Sequence, residues 1–475
     1  MKRKFYITTA IDYVNASPHL GHALEKIQTD VIARYFRILK REVLFLTGTD
    51  ENSLKNVQAA EKEGITPKEL VDRNSQKFYQ LKEILNLSFD DFIRTTELRH
   101  IKGAQKLWLA CKKDIFKKTY RGLYCVGCEE YYKEEELANG LCPEHKRKPE
   151  LVEEENYFFR LSKYQNQLIE IIEKEKIKIM PETRKNEILS FLYRGLEDIC
   201  ISRSQERAKG WGINVPDDPS QKIWVWFDAL SNYINAVGYG TNLKKFKKWW
   251  PADIHVIGKG ISRFHCVYWP AILISAKLPL PKSIFIHGYI TVGGQKMSKS
   301  LGNIVDPFEL VKKYGTDAVR YFLLREASPF EDIDFTIDKL EKRYNSDLAH
   351  GIGNLVLRII TLSQRLKIGA LKKKVNHPRL NVEIKKTKKK WENSLKEFKF
   401  NESLMSIWEL ISFSDKFLQE KKPWENNDKK TVSDLLVVLA EISKMLEPFL
   451  PQTSEKIFKQ IKNRKPEILF PKITS

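Results

Sequence analysis

The sequence predicts an α/β fold: a doubly wound parallel sheet, broken by an inserted segment and followed by an all-helical domain. Three observations carry this. Short apolar strands alternate with amphipathic helices over the first 118 residues, the alternation stops between 119 and 215 and then resumes, and from Asp338 onward only helical spacing is found. With 42% hydrophobic and 11% aromatic residues, a chain of 475 residues has material for several cores, which excludes a disordered polymer.

The elements follow in order. Phe5-Tyr6-Ile7-Thr8-Thr9-Ala10-Ile11 suits a strand, and the turn formers Asp12, Asn15, Ser17 and Pro18 end it. Leu24, Ile27, Val31, Tyr35 and Ile38 then recur at helical spacing. Val43-Leu44-Phe45-Leu46 is apolar throughout, as a strand covered on both faces should be. Thr66-Pro67-Lys68-Glu69 opens a further helix with a capping box and proline at its first position. Past the interruption, His255-Val256-Ile257-Gly258 and Ser283-Ile284-Phe285-Ile286-His287 read as strands resuming the same sheet. Residues 1–118 and 216–337 are therefore expected to be the halves of a Rossmann-type sheet, 119–215 an insertion, and 338–475 a helical domain. In that last stretch Leu340, Tyr344, Leu348, Ile352, Leu355, Ile359, Leu362 and Leu366 follow steps of three or four.

The formal net charge is +21. Residues 338–475 carry 29 Lys and Arg against 17 Asp and Glu, so the excess is concentrated in the helical tail. Such a balance suits a polyanionic partner, most often nucleic acid, or plain solubility. The runs Lys372–Lys374 and Lys388–Lys390 read as solvated linker. No stretch approaches the roughly 20 apolar residues of a membrane span, and the N-terminus has neither a secretory core nor an amphipathic presequence. Six cysteines, three of them in one short segment, are not a secreted disulfide framework. A soluble cytoplasmic protein is expected.

Three constellations carry chemistry. Pro18-His19-Leu20-Gly21-His22 lies between the first strand and the first helix. A helix N-terminus offers unpaired N–H groups to phosphates, Gly21 admits a ligand close to the backbone, and two imidazoles three apart share a face. In isolation, His-x-x-His is as readily two surface histidines. Gly293-Gly294-Gln295-Lys296-Met297-Ser298-Lys299-Ser300-Leu301-Gly302-Asn303 has glycines at both ends, two lysines three apart and hydroxyls between them. A pliable cationic loop of this kind can follow charge onto a leaving pyrophosphate, though it can equally be a solvated basic turn. Cys125-Val126-Gly127-Cys128 and Cys142-Pro143-Glu144-His145, separated by 13 residues, fit a tetrahedral zinc ion held by three thiolates and one imidazole. With every position filled by protein, such a metal is structural. Two unrelated cysteine pairs or a redox C-x-x-C are the alternatives. Cys111, Cys200 and Cys266 stand alone and read as buried thiols.

The pair His19-Leu20-Gly21-His22 and Lys296-Met297-Ser298-Lys299-Ser300 resembles the HIGH and KMSKS signatures of class I aminoacyl-tRNA synthetases. Within that class the chain is most similar to the methionyl-tRNA synthetases, and over its whole length. The likeness rests on Thr8 to Asn15, Phe45-Leu46-Thr47-Gly48-Thr49-Asp50, Phe92-Ile93-Arg94-Thr95-Thr96, Ile201-Ser202-Arg203, Trp211-Gly212-Ile213, Val225-Trp226-Phe227-Asp228-Ala229-Leu230 and the cysteine knuckles.

The resemblance implies a reaction in two steps: L-methionine and ATP, with Mg2+, give methionyl-adenylate and pyrophosphate, and the methionyl group then passes to the terminal adenosine of tRNA(Met). By position it implies His19, Gly21, His22, Lys296, Ser298 and Lys299 at ATP. It implies Ile11 and Tyr13 at the thioether, Asp50 at the ammonium, and Trp226, Ala229, Tyr233, Ile261 and His265 around the side chain. Asn354, Arg358 and Trp424 would read the CAU anticodon, and Cys125, Cys128, Cys142 and His145 would hold zinc. Aromatic walls suit a polarizable sulfur and a carboxylate suits an ammonium, while Trp226, Tyr233 and Ile261 would equally serve as core packing. Three departures from the family's usual residues bear on rate and nucleotide affinity: Asn52-Ser53 where it has His-Gly, Gly260 where it has Asp, and Asp12 where it has an aromatic or proline. Another class I synthetase or a catalytically impaired tRNA-binding paralogue are the competing readings. A monomer is expected.

Overall fold

The computed structural model describes residues 3–126, 130–143, 146–297, 302–326 and 328–473. The chain folds into two compact units, one made of 1–18, 40–82 and 88–287 and the other of 19–39, 83–87 and 288–475.

The first unit is built on a seven-stranded sheet of β1 (Lys4–Thr9), β2 (Asp12–Tyr13), β3 (Glu42–Asp50), β4 (Asp91–Arg94), β5 (Lys178–Met180), β6 (Ile254–Gly258) and β7 (Ser283–His287). Neighbours run β2-β3-β1-β6-β7-β5, with β4 also beside β3, and every pairing is parallel. Ile7 lies between Phe45 and Ile254, and Val256 lies beside Phe285, so the middle of the sheet is a row of buried apolar residues. That is the condition under which parallel strands are stable. The chain leaves β1 toward β3 on one side and β6 flanks β1 on the other, so the order reverses at the carboxyl end of β1. Open parallel sheets leave a crevice there.

The interrupting segment forms its own antiparallel sheet from Ile115–Cys125, Glu130–Tyr132, Glu150–Phe159 and Ile199–Cys200. One strand of the same stretch, β5, instead returns to the parallel sheet and pairs with β7. The sequence reading did not anticipate it, because Lys178-Ile179-Met180 is only three residues long and shows too little of a strand's period. Helix α2 (Glu182–Tyr193) follows β5, and α3 (Val225–Leu230) follows a three-stranded antiparallel patch of Ser202–Ser204, Asn214–Val215 and Asp218–Ile223.

In the second unit, helix α1 (Leu20–Ile38) and the chain after Gly288 pack together, and from Ile337 on every regular element among the described residues is helical. Tyr344–Gly353 is wound as a π-helix between Ile337–Arg343 and Asn354–Arg365. Successive four-residue steps between Leu340, Tyr344, Leu348 and Ile352 would rotate by about 40° each around an α-helix. All four are buried across the change from α- to π-winding. Arg320, fully buried, pairs with Asp30 at 2.9 Å and donates to the backbone oxygens of Leu85, Pro448 and Phe449. A buried cation is tolerated on such terms only. Lys388–Lys390, expected to be linker, lies inside the helix Pro378–Lys396, where Lys388 pairs with Glu441 and Lys390 with Glu409; Lys372–Lys374 is exposed loop. The second run sits where Leu380, Ile384, Thr387 and Leu395 give that helix a buried face, so packing overrides the composition.

Candidate functional site

The residues implied at methionine gather at the carboxyl ends of β1, β3 and β6. Ile11 and Tyr13 follow β1, Asp50 closes β3 opposite Tyr13 in register, and Ile261 and His265 follow β6. Trp226, in α3, stacks on Phe264 with centroids 3.7 Å apart and planes 3° from parallel, and it meets the edges of Tyr13 and His265 at 6.4 and 6.5 Å. Ala229 and Tyr233 are buried beside it in the sequence. Lys55 lies over the Tyr13 ring at 4.7 Å.

The polar groups of this cluster are fixed by their neighbours. The carbonyl oxygen of Ile261 only accepts, so His265 Nδ1–H donates to it at 2.9 Å, and in the neutral ring Nε2 accepts from the Tyr233 hydroxyl at 2.7 Å. His255, from β6, lies against the other side of Tyr233 with ring centroids 4.1 Å apart, and burial holds its imidazole well below the usual histidine range. The Trp226 indole N–H is buried and has no hydrogen-bond partner among the described residues, an orphan donor of the kind a bound molecule satisfies. Phe264 and His255 were absent from the sequence-derived set. Phe264 is next to His265 in the chain, a weak signal, whereas His255 is marked only by its place in the resumed strand.

Behind Asp50 runs a second buried network. Glu51 accepts from Arg94 at 2.6 and 3.0 Å, and the Trp211 indole donates to its backbone oxygen at 2.7 Å. The Asn52 amide donates to Asp228 Oδ2 at 2.7 Å and to the Thr95 carbonyl at 3.3 Å, while His100 Nε2 bonds the other oxygen of Asp228. Asp228 and His100 are fully buried. Ser53 caps the helix Leu54–Glu63 by accepting from the Lys55 N–H. One of the three departures, Asn52-Ser53, thus has structural partners here. Gly260 is exposed in the short turn Lys259–Ile261, and Asp12 sits half-buried in β2.

In the second unit, His19 and His22 form the N-terminal cap of α1. The Gly21 N–H donates to His19 Nδ1 at 3.1 Å, and the His19 N–H donates to His22 Nδ1 at 3.0 Å. Each Nδ1 is therefore an acceptor, and each neutral ring carries its proton on Nε2. The rings stack 3.8 Å apart. Lost hydration and the Lys26 ammonium push the His22 imidazole down to about 3. The pair is thus two neutral N–H donors at a helix N-terminus. A Cβ at Gly21 would stand 2.9 Å from His19 Cε1 and 3.6 Å from the methyl of Met297, so only glycine leaves the imidazole in place. Met297 is buried against this turn, which brings the middle of the second signature to the first. Ser298 and Lys299 lie outside the described residues, and so does the Lys296 side chain.

Of the four cysteine and histidine positions read as zinc ligands, Cys128 and His145 lie outside the described residues. Cys125 ends its strand and Cys142 follows a tight hairpin bridged at Ala138 and Leu141, and both thiols are buried. In the helical tail Asn354 is exposed. Arg358, one turn on, pairs with Asp415 at 2.5 Å and lies over the Trp424 ring at 5.9 Å. Arg365 donates to the Trp424 backbone oxygen at 2.8 Å.

Comparison with known proteins shows the family. The family described as class I tRNA synthetases (M) matches residues 5–148 and 133–360, and the anticodon-binding domain of tRNA ligases matches 380–474. The chain is 43% identical to a methionine–tRNA ligase of Thermotoga maritima over 96% of its length and 75% of the relative's. Against a methionine–tRNA ligase of Brucella suis the identity is also 43%, over 96% and 91%. Among solved structures, Mycobacterium tuberculosis methionyl-tRNA synthetase in complex with methionyl-adenylate superposes with a TM-score of 0.91 at 36% identity, covering 100% of this chain and 99% of that one. The ligand-free form of that enzyme gives 0.86.

Proposed function

The chain belongs to the methionine branch of the class I tRNA synthetases, and from that premise we propose how its residues divide the work. It is an ATP-dependent methionine–tRNA ligase: it activates L-methionine with ATP and transfers the methionyl group to the 3′-terminal adenosine of tRNA(Met). The observation that carries this is the 43% identity to methionine–tRNA ligases over nearly the whole chain.

In the first step a methionine carboxylate oxygen attacks the α-phosphorus of ATP. The new O–P bond forms as the bond to pyrophosphate breaks, and negative charge moves onto the leaving group. Asp50 binds the ammonium group. Trp226, Ala229, Ile261 and Ile11 enclose the side chain, with Tyr13, Tyr233 and His265 at its polarizable sulfur. Because the Tyr233 proton is directed to His265, the tyrosine oxygen offers the sulfur side lone pairs rather than a hydrogen. His19 and His22 donate Nε2–H to phosphate oxygens, and Lys296, Ser298 and Lys299 stabilise pyrophosphate as it leaves. Mg2+ travels with ATP, and the phosphates themselves supply its ligands while it neutralises their charge. In the second step a hydroxyl of the terminal adenosine attacks the methionyl carbonyl; the ester bond forms as the bond to the adenylate phosphate breaks, and the hydroxyl proton leaves with AMP. No side chain becomes covalently attached, so catalysis is positioning and electrostatics.

The remaining sequence expectations complete the proposal. Residues 1–118 and 216–337 are the catalytic halves, 119–215 the connective insertion, and 338–475 the anticodon-binding domain. Cys125, Cys128, Cys142 and His145 hold a structural zinc ion, a reading supported by two buried thiols in a four-donor spacing pattern. Asn354, Arg358 and Trp424 contact the anticodon by hydrogen bonding and stacking.

ATP–pyrophosphate exchange with each of the twenty amino acids in turn tests the function. Exchange with methionine alone is expected. Exchange with another amino acid would overturn the pocket assignment, and no exchange from a folded, tRNA-binding protein would favour the impaired paralogue. Cys142→Ser is expected to abolish bound zinc, read by atomic absorption.

A further inference from the structure

One face of α2 is left unused by everything above. Thr183, Asn186 and Ser190, with Arg194 just past the helix, recur in steps of three and four and are all exposed, while Ile188 and Leu192 on the other side are buried. These polar residues line a groove of about 470 Å³ whose other wall is Ser262 and Arg263, with Phe191 between them. That is room for a ligand of nucleotide size.

The groove is cationic. Its carboxylate, Glu187, is held by Arg184 through two contacts of 2.7 Å, whereas Arg194 and Arg263 have no ion-pair partner among the described residues. The Arg263 guanidinium instead lies over the Phe191 ring at 4.4 Å, a planar cation backed by an aromatic surface. Stacking planes, unpaired arginines and a row of amide and hydroxyl groups are what a single-stranded nucleic acid requires. The position matters as much as the chemistry. Arg263 is two residues from Ile261 and two from His265, so the groove opens beside the residues assigned to methionine.

We propose that this groove carries the single-stranded 3′ end of the tRNA, with Arg194 and Arg263 holding its phosphates and the Phe191–Arg263 stack receiving a base. The inference rests on the functional reading above, because only the acceptor end of a tRNA must reach the methionyl carbonyl. The anticodon is assigned to the helical tail and needs no second site here.

Arg194→Ala, Arg263→Ala and the double variant separate this proposal from the underlying reading. Both side chains are exposed, and methionine-dependent exchange without tRNA reports folding and the first step independently. Exchange is expected to stay within about twofold of the parent, the scatter of a surface change. Aminoacylation kcat/KM should fall about tenfold for each single variant and further for the double, the loss of one charge-assisted contact apiece. Arg194→Lys should retain most activity and Arg194→Glu should lose more than the alanine variant. Full-length tRNA should bind the double variant more weakly, while tRNA lacking its last four nucleotides should bind both proteins alike. Unchanged aminoacylation by the double variant would overturn the proposal, as would equal weakening toward the truncated tRNA. Absence of methionine-dependent exchange in the parent protein would instead overturn the functional reading.

Discussion

Around Trp226 the polar groups are few and mostly buried: a His265–Tyr233 pair whose proton positions are fixed by one carbonyl, a buried His255, an indole N–H left over, and only Asp50 and Lys55 as charged groups beside Tyr13. Along the helices after Ile337 they are many, exposed and paired, as in Lys390–Glu409 at 2.7 Å, Arg379–Glu420 at 3.0 Å and Arg358–Asp415 at 2.5 Å. On the proposed assignment, recognition in the first region would depend on low dielectric and fixed tautomers, where each misplaced hydrogen is costly. In the second it depends on an excess of cations over carboxylates, since much of the positive charge is already committed to cross-helix pairs. Net charge locates a polyanion-binding region better than it identifies the residues that bind.

The largest effect is expected at the second signature, to which the proposed function assigns the leaving pyrophosphate. Lys299→Ala is expected to slow adenylate formation about ten- to a thousandfold, the range for losing a transition-state donor, with an unchanged pre-steady-state rate as the contrary result. Arg358→Ala, in the tail, should leave exchange untouched and raise KM for tRNA. Next in size is Asn52→Ala, which removes one of two side-chain partners of the buried Asp228. A cost of about 1–3 kcal/mol in denaturant unfolding is expected, with a raised methionine KM because Asp228 lies in the same short helix as Trp226 and Ala229. Asn52→His, which keeps a donor, should recover most of both.

A pH titration probes the histidine pair directly. The unfolded chain protonates His22 near 6.5 and the folded chain only near 3, so this group's contribution to stability is complete above about 6.5 and is lost as the pH falls toward 3. The His22 ring signal should therefore not titrate between pH 5 and 8. The smallest effect belongs to Lys390→Ala, where breaking an exposed pair should change stability by under about 1 kcal/mol.

Much of this architecture was legible because it is local. Val43 to Leu46 is apolar enough to require cover on both faces, and Thr66 and Glu69 form the reciprocal cap that their spacing announced, with contacts of 2.9 and 3.2 Å. The signatures at His19 and Met297 were legible as patterns, but the tautomers of the two histidines were not, since they depend on backbone amides the sequence cannot aim. The network of Asn52, Asp228 and His100 was illegible for a plainer reason: its members are 176 and 128 residues apart, and each alone is an ordinary polar residue. The π-winding at Tyr344–Gly353 was not legible, because steps of three and four suit an α-helix equally well.

The mutual capping of His19 and His22 has a consequence for ionic strength. A neutral N–H donor meets phosphate through a short-range dipole, whereas a lysine meets it through a field that mobile ions screen, with a Debye length of about 8 Å in physiological salt. With the phosphate-binding roles proposed above, the two signatures would therefore differ in their sensitivity to the medium. As salt rises, the contribution of Lys296 and Lys299 should fade while that of the histidine pair persists, so ground-state ATP affinity and the rate of pyrophosphate departure should respond to salt with different slopes.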